Sequence, residues 1–443
     1  MSDDRYSVFS PVLPASGLSP EEYVRGFQLG FVDDAPFDAA DALAATLYKE
    51  RNAGAPRVSK RVDFKPDAVG IAGAGLMGVS IAASFLGAGV RVVLYDPFAP
   101  ALESAKERLR VEYATQRARQ GLASSDDVAE RALVAGRVDE LVQTTDSLDR
   151  LAELPVVVES IPEKLKLKAK LYRELAGRAT APILLLTNTS SLRVSELAAS
   201  LSSDPGAFVS RTRFMAFHFF HPVARRNLVE IAPCEETAQD AIDQVAALGR
   251  AIGKIPIVVG DGPGLLVNRL LQAYLNEALK TLDAGVAPER LEAICLKTGM
   301  EGAPLRVIDE IGVDVSLHAG WSFFKAFPDR THRSPALENL VRDGKLGRKT
   351  KLGFYRSEST RSWADDAALC YEERSESTDR ANWSDEQIAT SIFESILDEA
   401  GRIVDDKIAR TYREVDAGLV LALGFPASKG GVCYWGAVSG RLS

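Results

Sequence analysis

A histidine and a glutamate in the middle of the chain have the types and spacing of a general base with an orienting carboxylate. His218 stands near the end of the apolar run FMAFHFF (214–220), and Glu230 follows in LVEIA. A second apolar run, ILLLT (183–187), leads into the hydroxyl-rich stretch TNTSSL (187–192). Both runs are typical of buried strands, and ligands of open α/β sheets bind where strands end. The pattern predicts a site for proton abstraction.

The simpler interpretation is that His218 is a hydrogen-bonded core histidine with no chemical role. The chain has 4 histidines, and only His218 and His221 have a spacing that metal ligands could use. That pair falls where a strand passes into a loop, so we expect no metal site. Motifs elsewhere in the chain favour the chemical interpretation of His218.

A glycine-rich turn near residue 75 indicates a dinucleotide site. Gly73, Gly75 and Gly78 follow a short apolar strand and lead into a helix, and a second strand ends at Asp96. The glycines would let backbone amides approach a pyrophosphate at the helix N-terminus, and Asp96 would accept hydrogen bonds from the ribose. The carboxylate would repel a 2′-phosphate, which predicts NAD over NADP. A close helix–strand crossing would explain one glycine but not Asp96.

Apolar strands alternate with helical segments up to residue 260, which predicts an α/β doubly wound, Rossmann-type domain over 66–260. Further strands are expected at PVVVES (155–160) and KIPIVVG (254–260). Residues 97–150 carry mixed charges and read mostly as a solvated helical excursion.

After residue 260 the pattern is helical only. We expect an all-α C-terminal domain over 261–357, a linker over 358–385 and a second, degenerate helical repeat over 386–443. The repeat is suggested by LNEALKTLDAGV (275–286), which aligns with LDEAGRIVDDKI (397–408). TGMEGAP (298–304) resembles LGFPASKGG more loosely. Residues 1–65 are expected to form an extension with one linker helix over 38–54.

Composition narrows the class of protein. The chain has 443 residues, 46% hydrophobic and 26% charged, which is the profile of a globular protein with two or three domains. A net charge of −8 argues against nucleic acid as a partner. The 4 cysteines are scattered, and neither a signal peptide nor a membrane-spanning run is apparent, so we expect a cytoplasmic protein with reduced thiols and no membrane association.

Taken together, these motifs resemble the L-3-hydroxyacyl-CoA dehydrogenase family. The glycine turn with Asp96 is joined by VVVESIPEKLKLK, TNTSSL, HFFHPV, LVE, GPGLLVNR and KLGFY, in that order. The helical tail and the N-terminal extension look more like the dehydrogenase half of the multifunctional fatty-acid oxidation enzymes. The resemblance covers residues 66–357 well and 386–440 loosely, and it implies NAD-dependent oxidation of a 3-hydroxyacyl-CoA.

The resemblance also implies roles for individual residues. His218 would be the base, Glu230 would orient it, and Ser190 would hydrogen-bond the substrate oxygen. Asn268, in LVNR, would help to position the substrate. Further contacts to the cofactor are implied for Met77, Glu163, Lys168, Ser190, His221 and Lys349. Helix caps at Ser190 and Asn268, and surface charge at the two lysines, are the alternatives.

The chain departs from the family pattern at three places. His221 replaces the asparagine of HFFNPV, Arg226 stands where methionine is usual, and Glu-Gly-Ala-Pro (301–304) replaces Pro-Met-Gly-Pro at the acyl pocket. A second imidazole is bulkier than asparagine and titrates near neutrality. These differences suggest an acyl group that is ring-bearing, polar or acidic.

Two competing functions remain open. A non-catalytic NAD- or CoA-binding subunit, partnering a separate enoyl-CoA hydratase, would not need Ser190, His218, Glu230 and Asn268 together. Other β-hydroxyacid dehydrogenases use a lysine base and lack HFFxPV. The expected partners are an acyl-CoA substrate and, more loosely, a second copy of the chain in a homodimer, or a separate hydratase or thiolase.

Overall fold

The computed structural model describes residues 8, 56–119, 121, 128–358, 367–371 and 379–442. The chain forms two compact units, one built on Gly54–Leu265 and the other on Leu266–Ser443. The helix predicted over 38–54 lies outside the described residues, as does most of the predicted linker. None of the helices in the described ranges is long and apolar enough to cross a membrane.

The first unit is built on an 8-stranded sheet whose strands lie in the order β3-β2-β1-β4-β5-β6-β7-β8. Their bounds are β1 Ala68–Ala72, β2 Arg91–Tyr95, β3 Val142–Thr145, β4 Val156–Glu159, β5 Leu184–Thr187, β6 Phe214–Phe219, β7 Leu228–Pro233 and β8 Ile255–Val258. Strands β4 to β7 are buried along their whole length, because helices cover both faces of a parallel-type sheet.

The helices of this unit lie in the connections between successive strands. They are α1 Leu76–Gly87, α2 Ala99–Arg119, α3 Val128–Leu141, α4 Leu148–Ala152, α5 Leu165–Ala176, α6 Val194–Ala198 and α7 Gln239–Ala251. The strand order reverses between β1 and β4, since the chain runs from β1 out to β3 and returns beside β1. A crevice at the carboxyl ends of strands is expected at such a switch point.

One strand pair in the sheet is antiparallel. β6 and β7 are joined by the short segment 220–227, too short for a crossover, and so they pair as a hairpin. The pairing places His218 directly opposite Glu230. The doubly wound prediction is confirmed, with this one reversal in direction.

The second unit is helical. Its helices are α8 Val267–Asp283, α9 Pro288–Lys297, α10 Pro304–Ile311, α11 Val313–Ala326, α12 Pro335–Arg342, α13 Asp385–Asp405, α14 Tyr412–Gly418 and α15 Val432–Val438. A small antiparallel pair, β9 Tyr355–Arg356 and β10 Ala368–Leu369, lies between α12 and α13. Helices α8 and α13, which contain most of the two segments aligned as a repeat, pack against each other.

Both halves of the helical unit contain the same helix-capping arrangement. A buried carboxylate on α9, that of Glu292, accepts the Leu305 amide at the start of α10 at 2.8 Å. A buried carboxylate on α14, that of Asp416, accepts the Cys433 and Tyr434 amides at the start of α15 at 2.8 and 3.1 Å. The repeat predicted from the sequence stays a prediction.

The sequence interpretation missed two strands of the sheet, β3 and β7, and the helix α4. LVEIA was recognised as the apolar setting of Glu230 but not as the strand β7. Residues 142–145 form the edge strand β3, and α4 follows it, inside the region expected to be mostly a helical excursion. β3 has the sequence VQTT with a single fully buried residue, Val142, so it shows neither an apolar run nor a clear alternation.

Candidate active site

The turn between β1 and α1 requires glycine at two positions and leaves space at a third. Gly73 has a φ of 109°, and a Cβ there would lie 2.5 Å from the Ser160 carbonyl oxygen. A Cβ on Gly78 would lie 1.9 Å from the Gly73 carbonyl oxygen. A Cβ on Gly75 would meet nothing within 4 Å. Gly75 is also the N-cap of α1 and has no side chain to occupy the first helical amides. The turn therefore fits a pyrophosphate.

Asp96 follows β2 and faces the glycine turn. Its carboxylate accepts the backbone amides of Ala74 and Phe98, each at 2.9 Å. The Arg108 guanidinium donates to the Ala74 carbonyl oxygen at 2.6 Å and so holds the same turn from the other side. Met77, on the first turn of α1, is half-buried against the apolar core. Asp96 is thus placed beside the turn, as its predicted role requires.

His218 and Glu230 form a buried pair. The Nδ1 atom of His218 lies 2.7 Å from an Oε2 atom of Glu230, and the two residues are 5% and 0% exposed. Because the carboxylate accepts the Nδ1 proton, Nε2 is the nitrogen that can receive another proton. The Phe220 ring packs edge-on against the imidazole at 4.6 Å between centroids. This pair has the geometry of a base with its orienting acid.

Ser190 lies in a loop held by Glu163. One carboxylate oxygen of Glu163 accepts the Thr189 hydroxyl at 2.6 Å and the amides of Ser190 and Ser191 at 3.0 Å. Burial alone would raise the pKa of Glu163, but the Lys168 ammonium and these hydrogen bonds lower it to about 2. Glu163 is therefore an anion that binds the loop backbone.

Lys168 is enclosed and does not reach solvent. It is 1% exposed, and its Nζ atom lies 2.7 Å from Glu159 and 3.2 Å from Glu163. The alternative of a surface charge at Lys168 is wrong, because α5 turns this lysine toward the carboxylate at the end of β4. The predicted cofactor contacts of Glu163 and Lys168 stay predictions, and their observed partners are the Ser190 loop and Glu159.

The loop between β6 and β7 carries two departures from the family pattern. His221 is exposed and Arg226 is half-buried. The buried ammonium of Lys254, at the start of β8, donates to the carbonyl oxygens of Val223 and Arg226 at 2.6 and 2.9 Å. The backbone of this loop is therefore fixed from beneath, where Val223 is buried in the core, although His221 is exposed.

Three predicted positions belong to the helical unit. Asn268 lies in the first turn of α8 and is half-buried. Lys349 is exposed and forms an ion pair with Asp314. In the segment 301–304, the Gly302 carbonyl oxygen accepts the Tyr274 hydroxyl at 2.8 Å. The roles of Asn268 and Lys349 toward substrate and cofactor stay predictions.

Two site-supporting residues were not anticipated from the sequence. The Asn188 side chain accepts the Phe219 amide at 2.8 Å and so joins the Ser190 loop to the strand that carries His218. Glu159, fully buried, accepts Lys168, Tyr172 and Thr187. Asn188 could have been identified from the sequence as the polar residue that follows a buried strand. For Glu159, the only sequence feature that could have indicated its role is its place in the apolar run PVVVES. Within the described ranges, no group of three potential metal ligands clusters.

The comparisons with known proteins agree with this geometry. Residues 68–262 match the NAD-binding domain of 3-hydroxyacyl-CoA dehydrogenase, and residues 264–357 match the C-terminal domain of the same family. The first match confirms the predicted cofactor, NAD.

Individual relatives are multifunctional and monofunctional proteins. The alpha subunit of the fatty acid oxidation complex of Vibrio campbellii is 30% identical over 370 residues, which cover 83% of this chain and 50% of that protein. A probable 3-hydroxyacyl-CoA dehydrogenase of Caenorhabditis elegans is 32% identical over 65% of this chain and 92% of its own length. The chain spans about half the length of the oxidation-complex subunits that it matches.

Solved structures show the same fold. The (S)-3-hydroxybutyryl-CoA dehydrogenase of Ralstonia eutropha superposes with a TM-score of 0.56 at 30% identity, over 65% of this chain and 98% of that one. The 3-hydroxybutyryl-CoA dehydrogenase of Escherichia coli, at 24% identity, shares the fold with a TM-score of 0.68 over 85% of this chain and 92% of that one. Since the two family domains match residues 68–262 and 264–357, more than half of the sequence, the chain belongs to the 3-hydroxyacyl-CoA dehydrogenase family.

Proposed function

We propose that the protein oxidises an L-3-hydroxyacyl-CoA to the 3-oxoacyl-CoA with NAD. The observation that carries this proposal is the 2.7 Å contact between His218 and Glu230, buried in the same unit as the glycine turn. A structural NAD-binding subunit has no need of a buried imidazole with an orienting carboxylate, because burial of such a pair carries a desolvation penalty, and pairs of this kind cluster at functional sites.

Each residue has a defined role in this proposal. NAD, when bound, supplies the hydride acceptor, and the turn at Gly75 with Asp96 would hold its pyrophosphate and ribose. His218 Nε2 takes the proton from the 3-hydroxyl group of the substrate. Glu230 keeps the proton of the neutral ring on Nδ1 and stabilises the imidazolium that forms. Ser190 donates a hydrogen bond to the reacting oxygen, and Asn268 orients the substrate.

The test follows NADH absorbance with purified protein and a panel of 3-hydroxyacyl-CoAs. We expect turnover by the wild type and a loss of about a hundredfold or more in the His218→Ala variant. The alternative function, a non-catalytic NAD- or CoA-binding subunit, predicts NADH binding without turnover of any panel member. That outcome would overturn the proposal.

The acyl group is proposed to be ring-bearing, polar or acidic. The support is the exposed imidazole of His221 and the two arginines, Arg225 and Arg226, on the loop that follows His218. The panel therefore includes a straight medium-chain, a ring-bearing and a dicarboxylic 3-hydroxyacyl-CoA. The highest kcat/KM with the straight medium chain would contradict this part of the proposal.

A cytoplasmic location and a separate hydratase or thiolase partner complete the proposal. The 4 cysteines are all free thiols, and Cys234, Cys295 and Cys433 are buried, as expected in a reducing compartment. Relatives of the chain are named as alpha subunits of a fatty acid oxidation complex, and this supports a partner that supplies or consumes its substrate. Co-purification of the tagged protein with an enoyl-CoA hydratase activity would test the partner. Absence of that activity, together with a monomeric elution volume, would argue against both a complex and a homodimer.

A further inference from the structure

In the loop that carries Ser190, residues 189–191 all donate hydrogen bonds to a single carboxylate oxygen. Glu163 Oε1 accepts the Thr189 hydroxyl, the Ser190 and Ser191 amides and, at 3.1 Å, the Ser191 hydroxyl. Three successive residues of the loop therefore share one acceptor atom. Hydrogen bonds to a charged acceptor are roughly twice as strong as neutral ones, so this contact is a strong constraint on the loop.

The position of Glu163 is itself set from the protein interior. Its second carboxylate oxygen lies 3.2 Å from the Lys168 ammonium, which is also 2.7 Å from Glu159. Glu159 is 0% exposed, and its carboxylate accepts the Ile161 amide, the Tyr172 hydroxyl and the Thr187 hydroxyl in addition to Lys168. Burial and the Glu159 charge raise the pKa of Tyr172 well above its usual value, so this phenol stays a donor.

Both ends of the loop are fixed by other contacts. At its start, the backbone amide of Asn188 donates to the Glu159 carbonyl oxygen at 2.8 Å. The side-chain oxygen of Asn188 accepts the Phe219 amide, also at 2.8 Å. At its end, the Asp261 carboxylate accepts the Val194 and Ser195 amides at 2.8 and 2.9 Å. Between these two ends, residues 189–191 donate to Glu163, and the Thr189 hydroxyl also accepts the Leu192 amide at 3.1 Å.

We infer that Glu163, Lys168 and Glu159 are positioning residues that fix Ser190 relative to His218. In this arrangement the buried Glu159–Lys168 pair fixes the position of the Glu163 carboxylate. That carboxylate in turn fixes the backbone position of residues 189–191. Asn188 then ties the loop to Phe219, the residue next to His218. The inference rests on the proposed function, since it assigns a role in the step that Ser190 and His218 would perform.

This role differs from direct binding of the cofactor. The Lys168 ammonium is enclosed and engaged by two carboxylates, whereas the Glu163 side chain is 32% exposed, so for Glu163 the two roles are separated by their effects on rate and on NADH binding. Loss of a positioning contact lowers the rate with bound reactants, because a displacement of about 1 Å can cost on the order of a hundredfold. Loss of a cofactor contact instead weakens NADH binding and leaves the saturated rate largely unchanged.

The decisive variant is Glu163→Gln. Glutamine keeps the size of the side chain but presents an amide group either to the Lys168 ammonium or to the loop amides, and it can accept on one side only. We expect kcat with saturating NAD and the best panel substrate to fall about ten- to a hundredfold. The dissociation constant of NADH, measured by fluorescence titration, should stay within about threefold of the wild-type value.

A double variant tests whether the effect passes through Ser190. Ser190→Ala alone should lower kcat, and adding Glu163→Gln should lower it by less than about threefold more, since the group being positioned is already absent. Lys168→Met is a second probe from the interior side. Glu174→Gln and Lys170→Met are the matched controls, because this exposed pair on the same helix lies 3.8 Å apart and should leave kcat unchanged.

Three outcomes would overturn the inference while leaving the proposed function intact. They are a tenfold or larger rise in the NADH dissociation constant with unchanged kcat, multiplicative losses in the double variant, and wild-type kcat in Glu163→Gln. A folded Lys168→Met protein with wild-type kcat would contradict the interior part of the network. A wild type that turns over no panel member would overturn the proposed function itself, and this inference with it.

Discussion

The Lys254 ammonium lies 2.6 Å from the carbonyl oxygen of Val223, beneath the loop that joins the two strands of the His218–Glu230 pair. It also donates to Arg226 at 2.9 Å, and the lysine is only 6% exposed. Two backbone acceptors of the loop are thus bound by one buried cation. Burial lowers the pKa of Lys254 to about 8.

Replacement of Lys254 by methionine should destabilise this loop. The variant leaves the Val223 and Arg226 carbonyl oxygens without their donor, and we expect the free energy of unfolding to fall by about 1–3 kcal/mol. Urea denaturation measures the change, and Lys170→Met is the surface control. An unchanged midpoint in Lys254→Met would show that the loop finds other donors.

The same lysine predicts a pH dependence of stability. Because its folded pKa is about 8, below the ordinary value of about 10.4, the folded state loses the proton first. The unfolded state therefore binds more protons between these values, and the stability difference between wild type and Lys254→Met should grow as pH rises through this window. A difference that shrinks over that range would contradict the assignment.

Replacement of Glu230 by glutamine should remove most of the activity, although glutamine keeps a side chain of similar size at this position. The glutamine amide can donate to His218 Nδ1 and so favours the tautomer that carries its proton on Nε2, where the proton of the substrate must be received. We expect kcat to fall by about a hundred- to ten-thousandfold, in line with triad carboxylates. Glu236→Gln, which removes an exposed partner of Arg211, is the control. A loss below about tenfold would mean that Glu230 has no orienting role.

The pairing of His218 with Glu230 was predicted from the two residue types and their short separation in sequence. The register that places them directly opposite each other was not predictable, because LVEIA was not recognised as a strand and the connection 220–227 does not fix the register. The enclosure of Lys168 was not predictable. α5 contains Lys166, Lys168 and Lys170 in alternation, and only the position of the Glu159 carboxylate shows which of them turns inward. The tether from Glu163 to the Ser190 loop likewise depends on contacts between segments distant in sequence.

Replacement of Gly75 in the glycine turn by alanine should leave stability unchanged but weaken NADH binding. Gly75 has a φ of −73°, which alanine also adopts, and its Cβ would face open space, so Gly75→Ala should fold with a free energy of unfolding within about 0.5 kcal/mol of the wild type. The added methyl group would occupy the space through which a pyrophosphate approaches, and we expect NADH to bind at least about tenfold more weakly. Fluorescence titration with NADH measures this. Unchanged affinity would place the dinucleotide elsewhere.

Gly78→Ala should fail for a different reason. A Cβ there would lie 1.9 Å from the Gly73 carbonyl oxygen, so α1 cannot keep its distance from β1. We expect a loss of about 1–3 kcal/mol or more in the free energy of unfolding, together with weaker NADH binding. Thermal unfolding of the two alanine variants side by side separates the steric effect from the binding effect. Equal stability of both variants would contradict this distinction.

A second pH dependence comes from the helical unit. The buried carboxylate of Asp309 accepts the Phe354 and Tyr355 amides at 3.1 and 2.7 Å, and burial, which outweighs these hydrogen bonds, raises the pKa of Asp309 to about 7. The ordinary value is about 3.9, so the unfolded state loses the proton first. The stability that Asp309 contributes is therefore fully present below about pH 4 and is lost as pH rises through about 7.

Asp309→Asn tests this dependence, because asparagine does not titrate. Between about pH 5 and pH 8 the wild type should lose up to about 3 kcal/mol of unfolding free energy relative to the variant. The control is Asp314→Asn: partial burial would raise the pKa of Asp314, but its ion pair with Lys349 lowers it, so this group is already ionised throughout that range. Asp314→Asn should keep the wild-type slope of stability against pH. Parallel slopes for the wild type and Asp309→Asn would mean that the Asp309 carboxylate is ionised in the folded protein well below pH 7, held as an anion by the two amides that it accepts.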